Sequence, residues 1–294
     1  MPSLKEVKTK IVGVKKTAQI TKAMNMVASA KLRGAQEKME SFRPYTAKFN
    51  EAMSNLSSRA STGGSYPLME KRNVKSVELV VITSDRGLCG SFNSNIVKLA
   101  ERKMNEYEGE GKTVSFVCVG KKGFQSLKKT GKVRKSFRDI MGTFQMFNAR
   151  EIATEVSEHF LAEGGSDKVE VLYGEFQSVA IQRPAAKDFL PVQPVEDAED
   201  GEAAEKKISG EYIYEPSAEE IMDALQPLYL NVMIYHAMLE VGASEHAARM
   251  TAMDNATNAC KDIVSNLTIL YNKARQAAIT AELMDIVGGA EALK

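Results

Sequence analysis

The sequence predicts an α/β protein: a long antiparallel coiled coil of the N- and C-terminal helices plus a central Rossmann-like α/β domain. Two observations carry this prediction. Apolar residues repeat in sustained heptads at both ends of the chain, and between them short β-rich runs alternate with helical stretches. The boundaries expected are 1–60 for the first helix, 74–215 for the α/β domain and 217–290 for the second helix, which pairs with 1–60.

The first helix opens on a capping box, Ser3 followed by Glu6. Leu4, Val7, Ile11, Val14 and Ala18 then recur in steps of three and four, and Thr21, Asn25, Ala28, Leu32, Ala35, Met39 and Phe42 keep the stride. That rhythm predicts a helix from residue 3 into the fifties, bent or ended in its regular part by Pro44 and broken by "STGGSYP" at 61–67. Between Ala18 and Leu32 the apolar residues leave the seam: Ile20, Ala23, Met24, Met26, Val27 and Ala30 go round the helix. A helix apolar on most faces is buried, and either a third helix of this chain or, the reading favoured here, another protein encloses it.

The C-terminal helix opens on a second box, Ser217 with Glu220. Its expected seam runs through Leu228, Val232, Tyr235, Leu239, Gly242, His246, Arg249, Met253, Ala256 and Cys260. It continues through Ile263, Leu267, Leu270, Ala274, Ala277, Ala281 and Met284, and Gly288-Gly289 is expected to stop the helix. Some seventy residues at about 1.5 Å each make a rod on the order of 100 Å, which must project from any domain this chain can build. Alanines bury little, so the far end of the seam is weakly self-stabilised and calls for external support. Arg249 on the seam either meets an acidic partner group or reaches to solvent.

In the middle, "VELVVIT" (77–83), "TVSFVCVG" (113–120), "KVEVLYGEF" (168–176), "SVAIQR" (178–183) and "EYIYEP" (211–216) read as strands. Helices are expected at 93–107, 121–129 and 148–163, giving a mainly parallel sheet, and "EDAEDGEAAE" (196–205) reads as a solvated loop.

Net charge is only +1, yet residues 1–50 hold eleven Lys/Arg against three Glu, and residues 190–223 eleven Asp/Glu against two Lys. The basic end keeps a nucleic-acid or other acidic partner open. No apolar run reaches the 18 residues of a membrane span, and the N-terminus has no apolar signal core. Cys89, Cys118 and Cys260 are far apart and odd in number, which predicts a reducing compartment without disulfides; with three histidines they form no metal cluster.

The loop "ITSDRGLCGSFN" (82–93) has the strand–glycine–helix look of a catalytic or phosphate-binding turn. Its residues argue otherwise. A P-loop needs Lys-Ser/Thr after its last glycine, but Ser91-Phe92 follows Gly90; Gly87 and Gly90 miss the dinucleotide spacing; and Cys89, followed at once by Gly90, has no histidine to serve as base. The expectation is that Gly87 and Gly90 shape a turn, Asn93 or Ser91 caps the next helix, and Cys89 is a small buried apolar group. No catalytic residue, cofactor or metal is expected.

"VKKTAQITKAMNMVASAKLR" (14–33), "ITSDRGLCGSFN" (82–93) and "LYNKARQAAITAELMDIVGGA" (270–290) resemble the gamma subunit of F-type ATP synthases, in order and over the whole chain. The family commonly has Glu where Asp285 stands, a change of one methylene that keeps the charge. The resemblance implies a non-catalytic central-stalk rotor, its terminal helices turning inside the alpha/beta catalytic hexamer and its α/β domain contacting the epsilon subunit and the c-subunit ring. It implies peripheral placement at the cytoplasmic face of the bacterial inner membrane, an acidic protein surface rather than nucleic acid as the basic helix's partner, and contact residues Lys22, Met24, Lys31, Arg249, Arg275, Gln276, Thr280 and Glu282. Relatives under redox control carry a cysteine pair in an insertion, and the three cysteines here show no such pairing. The rivals are an α/β enzyme with a coiled-coil oligomerisation arm and a coiled-coil nucleic-acid binder.

Overall fold

A computed structural model describes residues 3–60, 66–192, 215 and 217–292. Their elements are α1 (Leu4–Ala60), β1 (Ser76–Ile82), α2 (Phe92–Gly109), β2 (Thr113–Val119), α3 (Lys121–Leu127) with a 3₁₀ turn (Lys128–Thr130), β3 (Val133–Phe137), α4 (Met146–Leu161), β4 (Lys168–Phe176), β5 (Gln182–Leu190) and α5 (Ala218–Ala292). The chain divides into two compact units, residues 31–248 and residues 1–30 with 249–294, and α1 and α5 contribute to both.

Within residues 31–248 the sheet order is β3-β2-β1-β4-β5, parallel throughout except for antiparallel β5 at one edge. The central strand is covered on both faces. Val77, Leu79, Val80, Val81 and Ile82 are all at most 1% exposed, and this is why β1 reads as an unbroken apolar run rather than an alternation. Two carboxylates enter this core, each with its cations. Glu78 of β1 receives the Arg134 guanidinium of β3 at 2.7 and 3.3 Å, and a further nitrogen of Arg134 reaches Glu155 of α4 at 2.7 Å. Glu170 of β4 accepts from the Tyr107 hydroxyl and from Lys168 Nζ; burial first, then the Glu170 carboxylate, pushes the Tyr107 phenol up to about 12.

The strand expected at 178–183 is displaced. Ser178–Ile181 is the hairpin turn, closed by Ile181 N donating to Ser178 O at 3.2 Å, and the strand that follows is β5. Val179 and Ile181 imitate strand alternation, whereas the real strand carries Pro184 and three charged residues, Arg183, Lys187 and Asp188. An edge strand tolerates both, because one row of its backbone groups needs no partner. The strand expected at 211–216 and the acidic loop at 196–205 lie outside the described residues.

Pro44 lies within α1 without ending it. Proline in a helix interior costs about 3 kcal/mol, and aromatic packing on either side offsets this: Phe42 meets Tyr235 edge-on at 5.0 Å and Phe49 stacks on Tyr229 at 6.4 Å. Nor do Gly288-Gly289 stop α5, which runs to Ala292; a glycine costs a helix only about 1 kcal/mol. Both halves of the first capping box form, Glu6 N to Ser3 Oγ at 3.3 Å and Ser3 N to Glu6 Oε2 at 3.2 Å. At the second, Glu220 N donates to Ser217 Oγ at 3.2 Å.

In the unit of residues 1–30 and 249–294, α1 and α5 meet through Thr21 Oγ1 and Thr257 Oγ1 at 2.7 Å and through Asn25 Nδ2 donating to Met250 O at 2.8 Å. Every expected seam position of α1 from Leu4 to Phe42 is buried or half-buried. The α5 seam departs from expectation at six positions. Leu228 is 51% exposed, and past Cys260 the covered positions are Val264, Leu267, Tyr271, Ala274 and Ala278, leaving Ile263 and Leu270 45% and 44% exposed. Ala277, Ala281 and Met284 are exposed as well. A heptad can place its second apolar residue three or four positions on; Ile263 and Val264 are both β-branched, so apolarity alone does not choose. The Thr21–Thr257 pairing sets the end: it brings Leu4, where α1 begins, opposite Ala274, so α5 runs out of partner soon afterwards.

Candidate functional site

The loop after β1 spends its reactive groups on itself. Ser84 Oγ donates to Arg86 O at 2.6 Å; Asn93 Oδ1 accepts Ser84 N at 3.0 Å, and Asn93 Nδ2 reaches Ser84 Oγ at 2.7 Å and Cys89 Sγ at 3.1 Å. Asp85 is consumed likewise: one carboxylate oxygen accepts Lys121 N (2.9 Å) and Asp139 N (3.0 Å), the other Met141 N (2.8 Å). Thr83 Oγ1 accepts Gly123 N at 2.8 Å, and a Cβ at Gly120 would stand 2.1 Å from Thr83 O, so the loops after β1 and β2 interlock with no room between them. Cys89 is 3% exposed, and burial pushes the Cys118 thiol up to about 12, far from a reactive thiolate.

Two details of the expected turn change. The left-handed residues are Leu88 (φ 62°) and Gly90 (φ 59°) rather than Gly87, and neither Ser91 nor Asn93 caps α2 through its side chain. Asn93 is the loop's latch instead. Asp85 is the residue whose importance the motif hid, because its partners lie thirty to sixty positions away in sequence.

The surface that asks for an explanation lies on the terminal helices. Of the twenty large apolar side chains exposed among the described residues, twelve fall in residues 1–30 and 249–294: four on α1 and eight on α5. Ile20, Met26 and Val27, all from the apolar collar, are 60%, 59% and 56% exposed, with Ala23 and Ala30 exposed beside them and Met24 half-buried. On α5, Ile269, Leu283, Met284 and Ile286 are 65%, 56%, 67% and 70% exposed. Singly scattered surface hydrophobes are ordinary, but a concentration of large ones on two helices is the kind of surface another protein covers.

The eight contact candidates fall on this surface or at its border. Lys22 is exposed beside the collar, and Lys31 is exposed one residue past it. Arg249 is half-buried on the seam, and Arg275, Gln276, Thr280 and Glu282 are exposed on α5, Thr280 Oγ1 donating to Gln276 O at 2.9 Å. The structure does not gather them into one pocket. They are spread along two helices. Of the outward apolar residues of α5, Met284 is an expected seam position, whereas Ile269, Leu283 and Ile286 stand one or two places beside expected seam positions. Among the described residues no group of His, Cys, Asp and Glu could hold a metal ion, and no helix is long and apolar enough to cross a membrane.

Known proteins share this pattern from end to end. A family model described as ATP synthase matches residues 3–293. The chain is 70% identical over its full length to the full-length ATP synthase gamma chain of Desulfotalea psychrophila, and 52% identical to that of Nitratidesulfovibrio vulgaris, again over all of both chains. Among solved structures it is similar to a chain of the Tetrahymena thermophila mitochondrial ATP synthase central stalk and c-ring, with a TM-score of 0.61, 28% identity, and coverage of 81% of this chain and 99% of that one. A chain of the Euglena gracilis mitochondrial ATP synthase shares the fold at 22% identity, with a TM-score of 0.66 and coverage of 99% and 94%.

Proposed function

This chain belongs to the ATP synthase gamma-chain family, and on that premise we propose that it is the non-catalytic rotor of the central stalk, coupling ion flow through the membrane c ring to ATP synthesis or hydrolysis in the alpha/beta hexamer. The observation that carries the reading is the apolar surface of the terminal helices. Ile20, Met26 and Val27 are more than half solvated in the isolated chain and contribute little to its own packing, so their use lies in contact with a partner.

A shaft that turns must be held without being locked. Apolar contact suits this, since it is non-directional and roughly proportional to area, whereas a set of buried ion pairs would favour particular angles. In this reading the parts are the helices of 1–60 and 217–290 as shaft and 74–215 as the domain toward the epsilon subunit and the c ring. Lys22, Met24, Lys31, Arg249, Arg275, Gln276, Thr280 and Glu282 are the proposed contacts with alpha and beta, and the exposed lysines of α1 face acidic protein surface. The chain works at the cytoplasmic face of the bacterial inner membrane, held there through its complex. The self-satisfied loop after β1 supports a role without catalysis, because Ser84, Asp85, Cys89 and Asn93 are all engaged within the fold.

Reconstitution tests this. With the full chain as bait, alpha and beta subunits are recovered together with ATPase activity, while the chain alone neither binds ATP tightly nor hydrolyses it. Enzymatic turnover by the isolated chain, or failure to recover alpha and beta under native conditions, would overturn the reading.

A further inference from the structure

A cavity of about 250 Å³ opens where α1, the β4–β5 pair and α5 converge, lined entirely by residues of the 31–248 unit. Its wall combines two cations held in long ion pairs, one of them, Lys187, also hydrogen-bonded to Tyr173, with a buried acceptor that has no donor. Arg43 lies 3.5 Å from Glu240 Oε1 and Lys187 lies 3.7 Å from Glu175 Oε1. Both contacts are longer than the roughly 2.7–2.9 Å of a charged hydrogen bond. The carboxylates of this region are already engaged: Glu240 Oε2 accepts Phe176 N at 2.8 Å, and Asp188 is held by Lys168 Nζ at 2.9 Å. Asn50 Oδ1 is buried without a hydrogen-bond partner, a rarity among native side chains that calls for a donor. Ala47, Phe189 and Met233 supply an apolar wall.

We propose that this cavity is a binding site for a small polyol bearing one oxyanion group, phosphate or carboxylate. The oxyanion bridges Arg43 and Lys187, a hydroxyl donates to Asn50 Oδ1, and the short carbon chain rests on Phe189 and Met233. A ligand held this way touches α1, β4, β5 and α5 at once and stabilises their packing by simple linkage. The site owes nothing to the rotor reading and stands or falls separately from it.

Calorimetric titration of the full chain with glycerol 3-phosphate, glycerate, glycerol and inorganic phosphate tests the proposal. At least one of the two anionic polyols binds one-to-one with a Kd of about 1 mM or tighter, and glycerol and inorganic phosphate bind at least about tenfold more weakly. Which anionic polyol is tighter identifies the oxyanion. Lys187→Met and the isosteric Asn50→Asp each weaken binding about tenfold or more, with thermal melting showing that the variants are folded. Lys187 is half-exposed on an edge strand, so its variant serves even if Asn50→Asp does not fold. The proposal fails if neither anionic polyol binds, if glycerol or inorganic phosphate binds as tightly, or if folded Lys187→Met binds unchanged.

Discussion

Thr21 and Thr257 meet hydroxyl to hydroxyl at 2.7 Å, buried between α1 and α5 and 236 residues apart in sequence. Thr257 Oγ1 also lies 2.8 Å from Met253 O and Thr21 Oγ1 3.1 Å from Ala18 O. Two hydroxyl protons cannot fill three bonds. The two shorter contacts are satisfied together if Thr257 donates to Met253 O and accepts from Thr21. The pair is thus a buried polar register mark in a seam otherwise rich in apolar residues and alanine. Thr257→Val removes Thr21's acceptor and should cost about 1–3 kcal/mol. The double variant Thr21→Val/Thr257→Val should recover most of that loss in denaturant melts, because both partners become apolar together. Equal or additive losses in the double variant would show that the hydroxyls do not act as a pair.

The collar should matter to assembly and not to the chain's own stability. Ile20, Met26 and Val27 are all more than half exposed, so replacing them by Ser should shift the isolated chain's stability by about 0.5 kcal/mol or less per site. Full burial of such a side chain against a partner is worth about 1.5–3 kcal/mol, so the triple variant should bind the alpha/beta hexamer more than about tenfold more weakly. Sedimentation or pull-down titration reads this, and unchanged affinity would place the partner elsewhere.

Glu78 is fully buried and depends on Arg134. Arg134→Met should destabilise by about 3–5 kcal/mol, since it leaves a buried carboxylate without its main counter-charge. Glu78→Met/Arg134→Met should regain much of that in the same urea titration. A double variant as unstable as the single one would show that the cost is packing rather than charge.

Asp167 gives the chain an acid limit. Burial works against its carboxylate, but the amides of Lys75 and Ser76, both at 2.9 Å, and the Ser76 hydroxyl outweigh it and hold its pKa below the usual value. A folded pKa lowered in this way contributes stability above the unfolded value of about 3.9, and that contribution is lost as pH falls through the folded one. Asp167→Asn should therefore melt below wild type at pH 7, with the gap closing as pH drops below about 4. A gap independent of pH would mean that the charge is not what matters.

The parts of this molecule legible in its sequence were those governed by period. The α1 seam and the buried runs of β1, β2 and β4 follow from spacing alone, and the collar is visible because Ile20, Met26 and Val27 break that spacing. Three things were not legible. The choice between Ile263 and Val264 depends on helix rotation, which apolarity does not encode. The position of β5 was hidden because an edge strand accommodates Pro184 and charges that a central strand excludes. The role of Asp85 was hidden because its amide partners belong to loops distant in sequence. Pro44 and Gly288-Gly289 show the same limit from the other side: as local breakers they predict helix ends, and a penalty of one to three kcal/mol is within what packing or a continuing helix can absorb.

Rotation tests the central claim most directly. With the alpha/beta hexamer fixed to a surface and a bead attached through a cysteine introduced on the exposed face of the α/β domain, ATP should drive sustained one-way turning of the bead, observed singly by microscopy. A complex that hydrolyses ATP at its full rate while a firmly attached bead stays still would contradict the assignment of this chain as the rotor.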